Sequence, residues 1–552
     1  MPINIITKDG RPHKYFMLAA FAFLLINLFL IGYQMSLWDD DEAAYAGFAL
    51  RMIETGDWVN PDYFWSDVHR KTPFHFWTIA ISYLIFGVNE FAVRVPAALA
   101  VVITVLAVWK WGAALFGKAQ SEWAAIILSS SFLVLAMGKM SLTDAWLMCF
   151  ETLAVLALFN YLKAPNWRWN LVFWLAIAIG TLVKGPPILI LCGGLWLGLA
   201  ILHPERKRLI GTHPWFFGLL ALLPFCAWAY CSYQSDGGAL LTFLYEWYVV
   251  RRIGGVVFGQ TGPAGYHLVV AIVAFLPWLP FFLIGLWRSF RFGRKDNENI
   301  QLLLWMVFGW IFYELMSSKL PSYAMGAHPA FAIAAAKVLV SYLNEEAPHK
   351  IKKWVWIVLP SIWMAFSISF CVVLPIFFGN SSLLYIGLVF MLVPAIVFFF
   401  VNNGARPIMM ALWGGLCFAL IWGIGGYVLD HSPAKSASAY AAKMEEISLS
   451  ATVQYQKTAL VGFSARQLRM SFPFYIERKF DKPLEWTVAQ ALEALKKEEK
   501  LMLLVGEEAI TPIKKAMEMD SISYKNCQYD ETLKWQSLND QLKYHPLIIV
   551  WN

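Results

Sequence analysis

Leu37-Trp38-Asp39-Asp40-Asp41-Glu42-Ala43-Ala44-Tyr45 sets four acidic residues directly behind an apolar run that begins near Tyr15. An α-helix needs about 20 consecutive apolar residues to cross a bilayer, and this run supplies them. The acids therefore stand where a first span leaves the lipid. A carboxylate at that depth needs either water or a cationic partner. The rest of the chain reads as scaffold and partners for that point.

Composition extends the membrane reading to the whole chain. Of 552 residues, 59% are apolar and only 15% are charged, and the mean hydropathy is +0.55. A soluble protein would carry about a quarter charged residues, so a soluble globular class is excluded. The 27 tryptophans fit belts at the two membrane interfaces. Seven cysteines are scattered, and Cys149, Cys192, Cys226, Cys231, Cys371 and Cys417 lie in or beside apolar runs, with no metal-site or disulfide spacing. Lys8, Arg11 and Lys14 precede the first run as in a signal peptide, but the run is too long and Trp38-Asp39 stands where a small-residue cleavage site would be. The reading is an uncleaved first span with a cytoplasmic N-terminus.

Runs of spanning length fall near 16–37, 92–115, 122–138, 143–162, 169–183, 186–203, 214–232, 266–288, 301–317, 322–343, 354–378, 382–402 and 408–429, about thirteen spans. The connections this places in the cytoplasm are all basic: Lys110 and Lys118; Lys163 and Arg168; Arg206, Lys207 and Arg208; Arg288, Arg291, Arg294 and Lys295; Lys350, Lys352 and Lys353; Arg406. The opposite connections carry isolated bases, Lys139, Lys184 and Lys319, with Arg251 and Arg252 in a longer loop. That asymmetry explains the net charge of +7 without a nucleic-acid partner and puts the C-terminus outside.

Two outer loops exceed the length of a connector. The first, about 38–91, predicts a helix from Ala43 to Glu54 that ends at Thr55-Gly56, a polar turn, and an apolar segment to Phe86-Gly87 lying in the membrane interface. The second, about 233–265, holds Glu246, Arg251 and Arg252. Beyond Asp430 the chain turns polar. Strands at 458–463, 501–505 and 547–550, with helices over 484–497 and through Pro512 to Met519, predict a small α/β domain without a nucleotide-binding glycine motif. The expected architecture is therefore a polytopic α-helical membrane domain, residues 1–430, followed by a soluble extracytoplasmic α/β domain, residues 431–552.

Asp39 to Glu42, Lys71, Asp144, Lys184, Glu246, Arg251, Arg252, Glu314 and Lys319 all fall at predicted outer ends of spans. Singly, each is as readily a solvated or snorkelling side chain as a functional one. Together they describe a polar cavity opening at the bilayer boundary, suited to a lipid-linked anion, with bases on its phosphate and a carboxylate on its reacting partner.

The motifs then fall in a recognisable order. Asp41-Glu42 ahead of Tyr45, Gly56-Asp57-Trp58, Lys71-Thr72-Pro73-Phe74-His75-Phe76-Trp77, Thr143-Asp144, Leu182-Val183-Lys184-Gly185-Pro186, Ser318-Lys319-Leu320-Pro321-Ser322-Tyr323 and Ser471-Phe472-Pro473-Phe474-Tyr475 follow one another through most of the chain. This series resembles the GT-C membrane glycosyltransferases, in particular the branch of the lipid A aminoarabinose transferases and the bacterial relatives of protein O-mannosyltransferases. Each motif is weak alone; the order and spacing are specific. The resemblance implies a polyprenyl-phosphate sugar donor and transfer with inversion to lipid A, another envelope glycan or protein. It implies Asp41 as the main carboxylate, either general base or acceptor-orienting, with Glu42 beside it and Asp144 as a second acid. Lys71 would bind the donor phosphate, helped by Arg251, Arg252 or Lys319. Tyr45, Tyr323, Lys184, Glu246 and His75 would line the cavity.

Two departures limit the carry-over. Arg70 stands where the aminoarabinose transferases have Glu, and Trp247 follows Glu246 where they have a nearby His. Those family residues can hold zinc, so the resemblance brings no zinc site to this chain. A divalent cation on Asp39, Asp41 and Asp144 stays open beside a metal-free reading in which the bases alone neutralise phosphate. Two other classes compete: a transporter or flippase of lipid-linked sugars, and a scaffold whose external domain recruits partners. A transporter favours mid-span charges and internal repeats, and the motifs show neither. A scaffold leaves the ordered acids and bases without use.

Overall fold

The computed structural model describes residues 5–31, 35–38, 41–61, 71–246, 250, 261–346 and 349–373, then isolated positions between 388 and 413, and segments of the C-terminal part from 438 to 551. The expected boundary near 430 and most of the expected spans at 382–402 and 408–429 lie outside the described residues. The chain forms two compact units, one of residues 1–33, 70–75 and 94–423, the other of 34–69, 76–93 and 424–552.

The first unit is a helical bundle. Its helices are α1 (Lys14–Phe29), α4 (Glu90–Phe116) apart from its first four residues, α5 (Lys118–Ser129), α6 (Phe132–Lys139), α7 (Thr143–Lys163), α8 (Trp167–Lys184), α9 (Pro186–Leu202), α10 (Pro214–Asp236), α11 (Ala239–Tyr245), α12 (Tyr266–Ala274), α13 (Leu279–Phe292), α14 (Asn297–Met306), α15 (His328–Leu343) and α16 (His349–Ile368). Among the described residues, four helices are long and apolar enough to cross a membrane: Glu90–Phe116, Thr143–Lys163, Pro214–Asp236 and Tyr323–Leu343, or six if two bent pairs each count as one. Shorter apolar helices, Lys14–Phe29 and Pro186–Leu202, add to the bundle. The protein is a multi-pass membrane protein.

The core runs along α7, which is buried at almost every position and packs on α8. Small residues let other helices close up: a Cβ at Gly285 would stand 2.6 Å from the Ala334 carbonyl, so α13 and α15 meet backbone to backbone. In contrast, Trp215, Phe216, Leu219 and Leu223 on α10 are exposed, as a lipid-facing ridge requires.

Several spans read as straight from sequence are bent. The 122–138 run is α5 and α6, turned by 58°. Ser129 and Ser130 donate their hydroxyls to the Ile126 carbonyl, and such back-bonding bends helices. The 266–288 run turns by 78° between α12 and α13, where Pro277 denies the helix a backbone donor. The 301–317 run passes from α14 into a wider π turn over Val307–Ile311.

The second unit contains α2 (Asp41–Thr55), α3 (Phe74–Phe86) apart from its first two residues, and the C-terminal α/β part. Helix α2 stops at Gly56 and α3 at Gly87, as expected, each glycine sitting at positive φ. The C-terminal part holds α17 (Ser438–Ser450), α18 (Ser471–Glu477), α19 (Val488–Lys497) and α20 (Glu507–Met519). Its strands are β1 (Lys457–Val461), β2 (Leu484–Trp486), β3 (Leu501–Val505), β4 (Gln528–Asp530), β5 (Lys534–Gln536), β6 (Tyr544–Pro546) and β7 (Ile548–Trp551). The main sheet has the order β2-β1-β3-β7-β4, parallel among β2, β1 and β3 and antiparallel at β7 and β4. The expected helix over 484–497 is corrected at its start: Leu484–Trp486 pairs with β1 as an edge strand before α19 begins.

Candidate functional site

The bundle unit gathers Asp144, Lys184, Lys71, Ser322 and Tyr323. Asp144 lies in the first turn of α7 and Lys184 in the last turn of α8. Each sits where the helix dipole favours its charge. The Lys184 ammonium donates to Asp144 Oδ1 at 2.7 Å, and both side chains are about nine-tenths buried. Lys184 also lies 4.9 Å from the Tyr323 ring centroid. Ser322 and the charge of Lys71 also act on Asp144. Gly185, at φ +75°, breaks the chain after Lys184, and Pro186 starts α9. The lysine is thereby fixed at a helix end.

Lys71 is placed by the residues that follow it. The Phe74 ring sets its edge against Trp146 and Phe150, with centroids 5.3 and 5.5 Å apart. His75 is fully buried, with Nε2 3.1 Å from the Ser141 hydroxyl. His75 thus ties the Lys71 segment to the turn ahead of α7. A cavity of about 220 Å³ opens here, lined by Lys71, Lys184, Phe225, Leu241, Leu244 and Tyr245 among others. A second, about 120 Å³, reaches Leu147, Phe312, Tyr313 and Tyr323 and shares Lys184. The walls are apolar, and among the described residues the charges on them are two ammoniums.

Lys319 is placed differently. Its ammonium donates to Glu314 O at 2.9 Å, Pro263 O at 3.1 Å and Glu314 Oε2 at 3.4 Å. Glu314 in turn accepts from the Trp310 indole and from the backbone N–H groups of Leu268 and Gly265. This cluster fastens the start of α12 to the segment before Tyr323. Glu246 is exposed at the end of α11. Arg251 and Arg252 lie outside the described residues, as do Asp39 and Asp40.

In the second unit Asp41 opens α2 and is exposed, accepting the Tyr45 hydroxyl at 3.2 Å. Tyr45 is buried against Phe76, ring centroids 5.4 Å apart. Glu42 is also buried, and its Oε2 accepts the Trp38 backbone N–H at 2.8 Å. That bond makes Glu42 a cap on the segment leading into α2. Among the described residues no three His, Cys, Asp or Glu side chains converge as a metal site.

Two buried groups stand outside the candidate site residues read from sequence. Glu151 stands two turns below Asp144 on α7, 2% exposed, in the field of Lys184, with Oε1 lacking a hydrogen bond. A single carboxylate inside an apolar run was signal enough to find it. Lys139 is 6% exposed at the end of α6, and its ammonium has no hydrogen-bond partner. Only its burial, not its sequence context, sets it apart from a snorkelling lysine.

A family model described as dolichyl-phosphate-mannose-protein mannosyltransferase matches residues 70–231, a stretch that carries Lys71, Asp144 and Lys184. The solved structure of ArnT from Cupriavidus metallidurans bound to undecaprenyl phosphate superposes with a TM-score of 0.74 at 18% identity, covering 97% of this chain and 98% of the other. The chain has the GT-C glycosyltransferase fold. The archaeal oligosaccharyltransferase AglB from Archaeoglobus fulgidus, in complex with an inhibitory peptide and a dolichol-phosphate, shares that fold more distantly. Its TM-score is 0.52 at 14% identity, over 93% of this chain and 71% of AglB. In sequence, the undecaprenyl phosphate-alpha-4-amino-4-deoxy-L-arabinose arabinosyl transferase 2 of Proteus mirabilis is 24% identical over 334 residues. That match covers 58% of this chain and 58% of the relative's length.

Proposed function

We propose that this GT-C chain is an integral membrane glycosyltransferase that moves a sugar from a polyprenyl-phosphate donor to an envelope acceptor, with inversion. The observation that carries the reading is the cavity whose apolar walls present two ammoniums, Lys71 and Lys184, beside the Asp144 carboxylate. A prenyl chain needs apolar walls, and its phosphate needs cations in a site of low dielectric. The acceptor oxygen attacks the anomeric carbon as the bond to the phosphate oxygen breaks. The bonding pair leaves on polyprenyl phosphate, whose growing charge Lys71 and Lys184 neutralise. Asp41 takes the acceptor proton, or orients the acceptor if it arrives as an anion. Arg251 and Arg252 would assist on the phosphate. The acceptor class is lipid A, another glycan or protein, and the sites follow the motif order rather than any bound ligand. The same reading assigns about thirteen spans, a cytoplasmic N-terminus and an extracytoplasmic α/β domain after about residue 430, in a bacterial inner membrane.

Purified protein given a radiolabelled polyprenyl-phosphate sugar and envelope extract tests this directly. Wild type should transfer label, and Asp41→Asn and Lys71→Ala should each lower transfer by roughly 100-fold or more. Running every arm with and without EDTA reads metal dependence. No turnover over a broad donor panel, together with protein-dependent movement of labelled lipid across proteoliposomes, would replace the transferase by a flippase.

A further inference from the structure

The acidic segment and the C-terminal α/β part belong to one compact unit, although about 380 to 440 residues separate their contacts in sequence. The Leu37 backbone N–H donates to the Tyr475 phenol oxygen at 2.6 Å, and both residues are buried. Leu37 stands four residues before Asp41. Tyr475 lies on α18, which packs against both α2 and α17. Three residues further on, Arg478 pairs with Glu90 at 2.5 Å. Its guanidinium also lies 5.6 and 5.8 Å from the Phe474 and Tyr475 ring centroids. The Tyr83 hydroxyl donates to the Ala46 carbonyl at 3.2 Å, which ties α3 to α2. Four consecutive residues, Tyr475 to Arg478, therefore hold both the entry to the acidic helix and Glu90, four residues beyond the end of α3.

This arrangement differs from a recruitment domain on a tether. A free backbone N–H at Leu37 would have been satisfied by water at no structural cost. Instead it is buried on a side chain of the C-terminal part. The entry angle of the acidic helix is set by that bond and by the Glu42 cap on Trp38.

We propose that Tyr475 and Arg478 are positioning residues for the acidic segment, so that the C-terminal α/β part takes part in turnover by holding Leu37 to Tyr45 in register. The kinetic half of this inference rests on the transferase reading above; the anchoring half does not. Neither residue is assigned contact with substrate. Reacting groups displaced by about 1 Å lose on the order of 100-fold in rate, so loosening this anchor acts on kcat rather than on donor affinity.

The test uses full-length protein in nanodiscs with Tyr475→Phe, Arg478→Met, Arg478→Lys and a control, Val550→Ala, in the buried centre of β7. Amide exchange over residues 35–50 is read by mass spectrometry, beside kcat and donor KM. Tyr475→Phe and Arg478→Met should speed exchange at the Leu37 amide and lower kcat about 10-fold or more, with donor KM unchanged within about twofold. Arg478→Lys, which keeps the charge on Glu90, should restore most of kcat relative to Arg478→Met. Val550→Ala should lower the melting temperature while leaving both readouts at wild-type values. Wild-type exchange at Leu37 in Tyr475→Phe overturns the anchor. Faster exchange with wild-type kcat overturns its role in turnover. A wild type that turns over no donor removes the transferase reading and with it the kinetic half, while the exchange result still decides the anchor.

Discussion

Asp144–Lys184 and Glu314–Lys319 are chemically the same pair, a carboxylate and an ammonium buried in one helical bundle, and the difference between them lies in leftover valence. An ammonium has three donors. Those of Lys319 find Glu314 O, Glu314 Oε2 and Pro263 O. Lys184 makes one hydrogen bond, to Asp144, and turns its remaining surface to Tyr323 and to two cavities. A base with every donor used holds the fold together; a base with donors left over can take a phosphate. Both lysines sit in motif-like surroundings; the family resemblance implies Lys319 on the phosphate and Lys184 on the cavity wall, and their tertiary contacts differ in the opposite sense.

The contrast can be broken first at Lys319. Lys319→Met leaves Glu314 buried without its cation, which should cost about 3–5 kcal/mol of stability. Donor turnover per folded molecule should stay near wild type. Thermal melting beside active-site-normalised rates checks both parts, and a large loss of rate with unchanged melting would move Lys319 into the site. Lys184→Met should differ in its kinetics. Turnover per folded molecule should fall roughly 100-fold, about 2.7 kcal/mol in the transition state, beside a stability loss of similar size, because Asp144 is likewise left buried without its cation.

A third substitution probes the floor of the site. A Cβ at Gly326 would stand 2.2 Å from Glu151 Oε2. Gly326→Ala should therefore push Glu151 aside and cost about 1–3 kcal/mol by overpacking. Glu151→Gly in the same background should recover part of that loss in a melting experiment.

What the sequence made legible follows from how local each cause is. Gly56 and Gly87 end their helices through their own φ, and Lys184-Gly185-Pro186 breaks α8 from α9 by residue type alone. The acids of α2 and the aromatic segment after Lys71 stand out as unlike an apolar chain. The bend at Ser129–Ser130 and the π turn over Val307–Ile311 were harder, since apolar periodicity continues through both. Glu42 accepts the Trp38 N–H, a bond that its place beside Asp41 in the sequence does not announce. Such a bond depends on the backbone path before α2. Lys319 needed Pro263, and Tyr475 needed Leu37, contacts made across 56 and 438 residues that no local pattern encodes. Leu484–Trp486 reads as a helix start because three residues are too few to show alternation, and its pairing with β1 decides it as a strand.

The most direct measurement of the central claim is binding of polyprenyl phosphate to wild type, Lys184→Met, Lys71→Ala and Lys319→Met in the same nanodisc preparation. A phosphate held by Lys184 and Lys71 predicts Kd raised about 10-fold or more in those two variants, and unchanged in Lys319→Met once corrected for the folded fraction. Wild-type affinity in Lys184→Met and Lys71→Ala, with binding lost in Lys319→Met, would contradict the account.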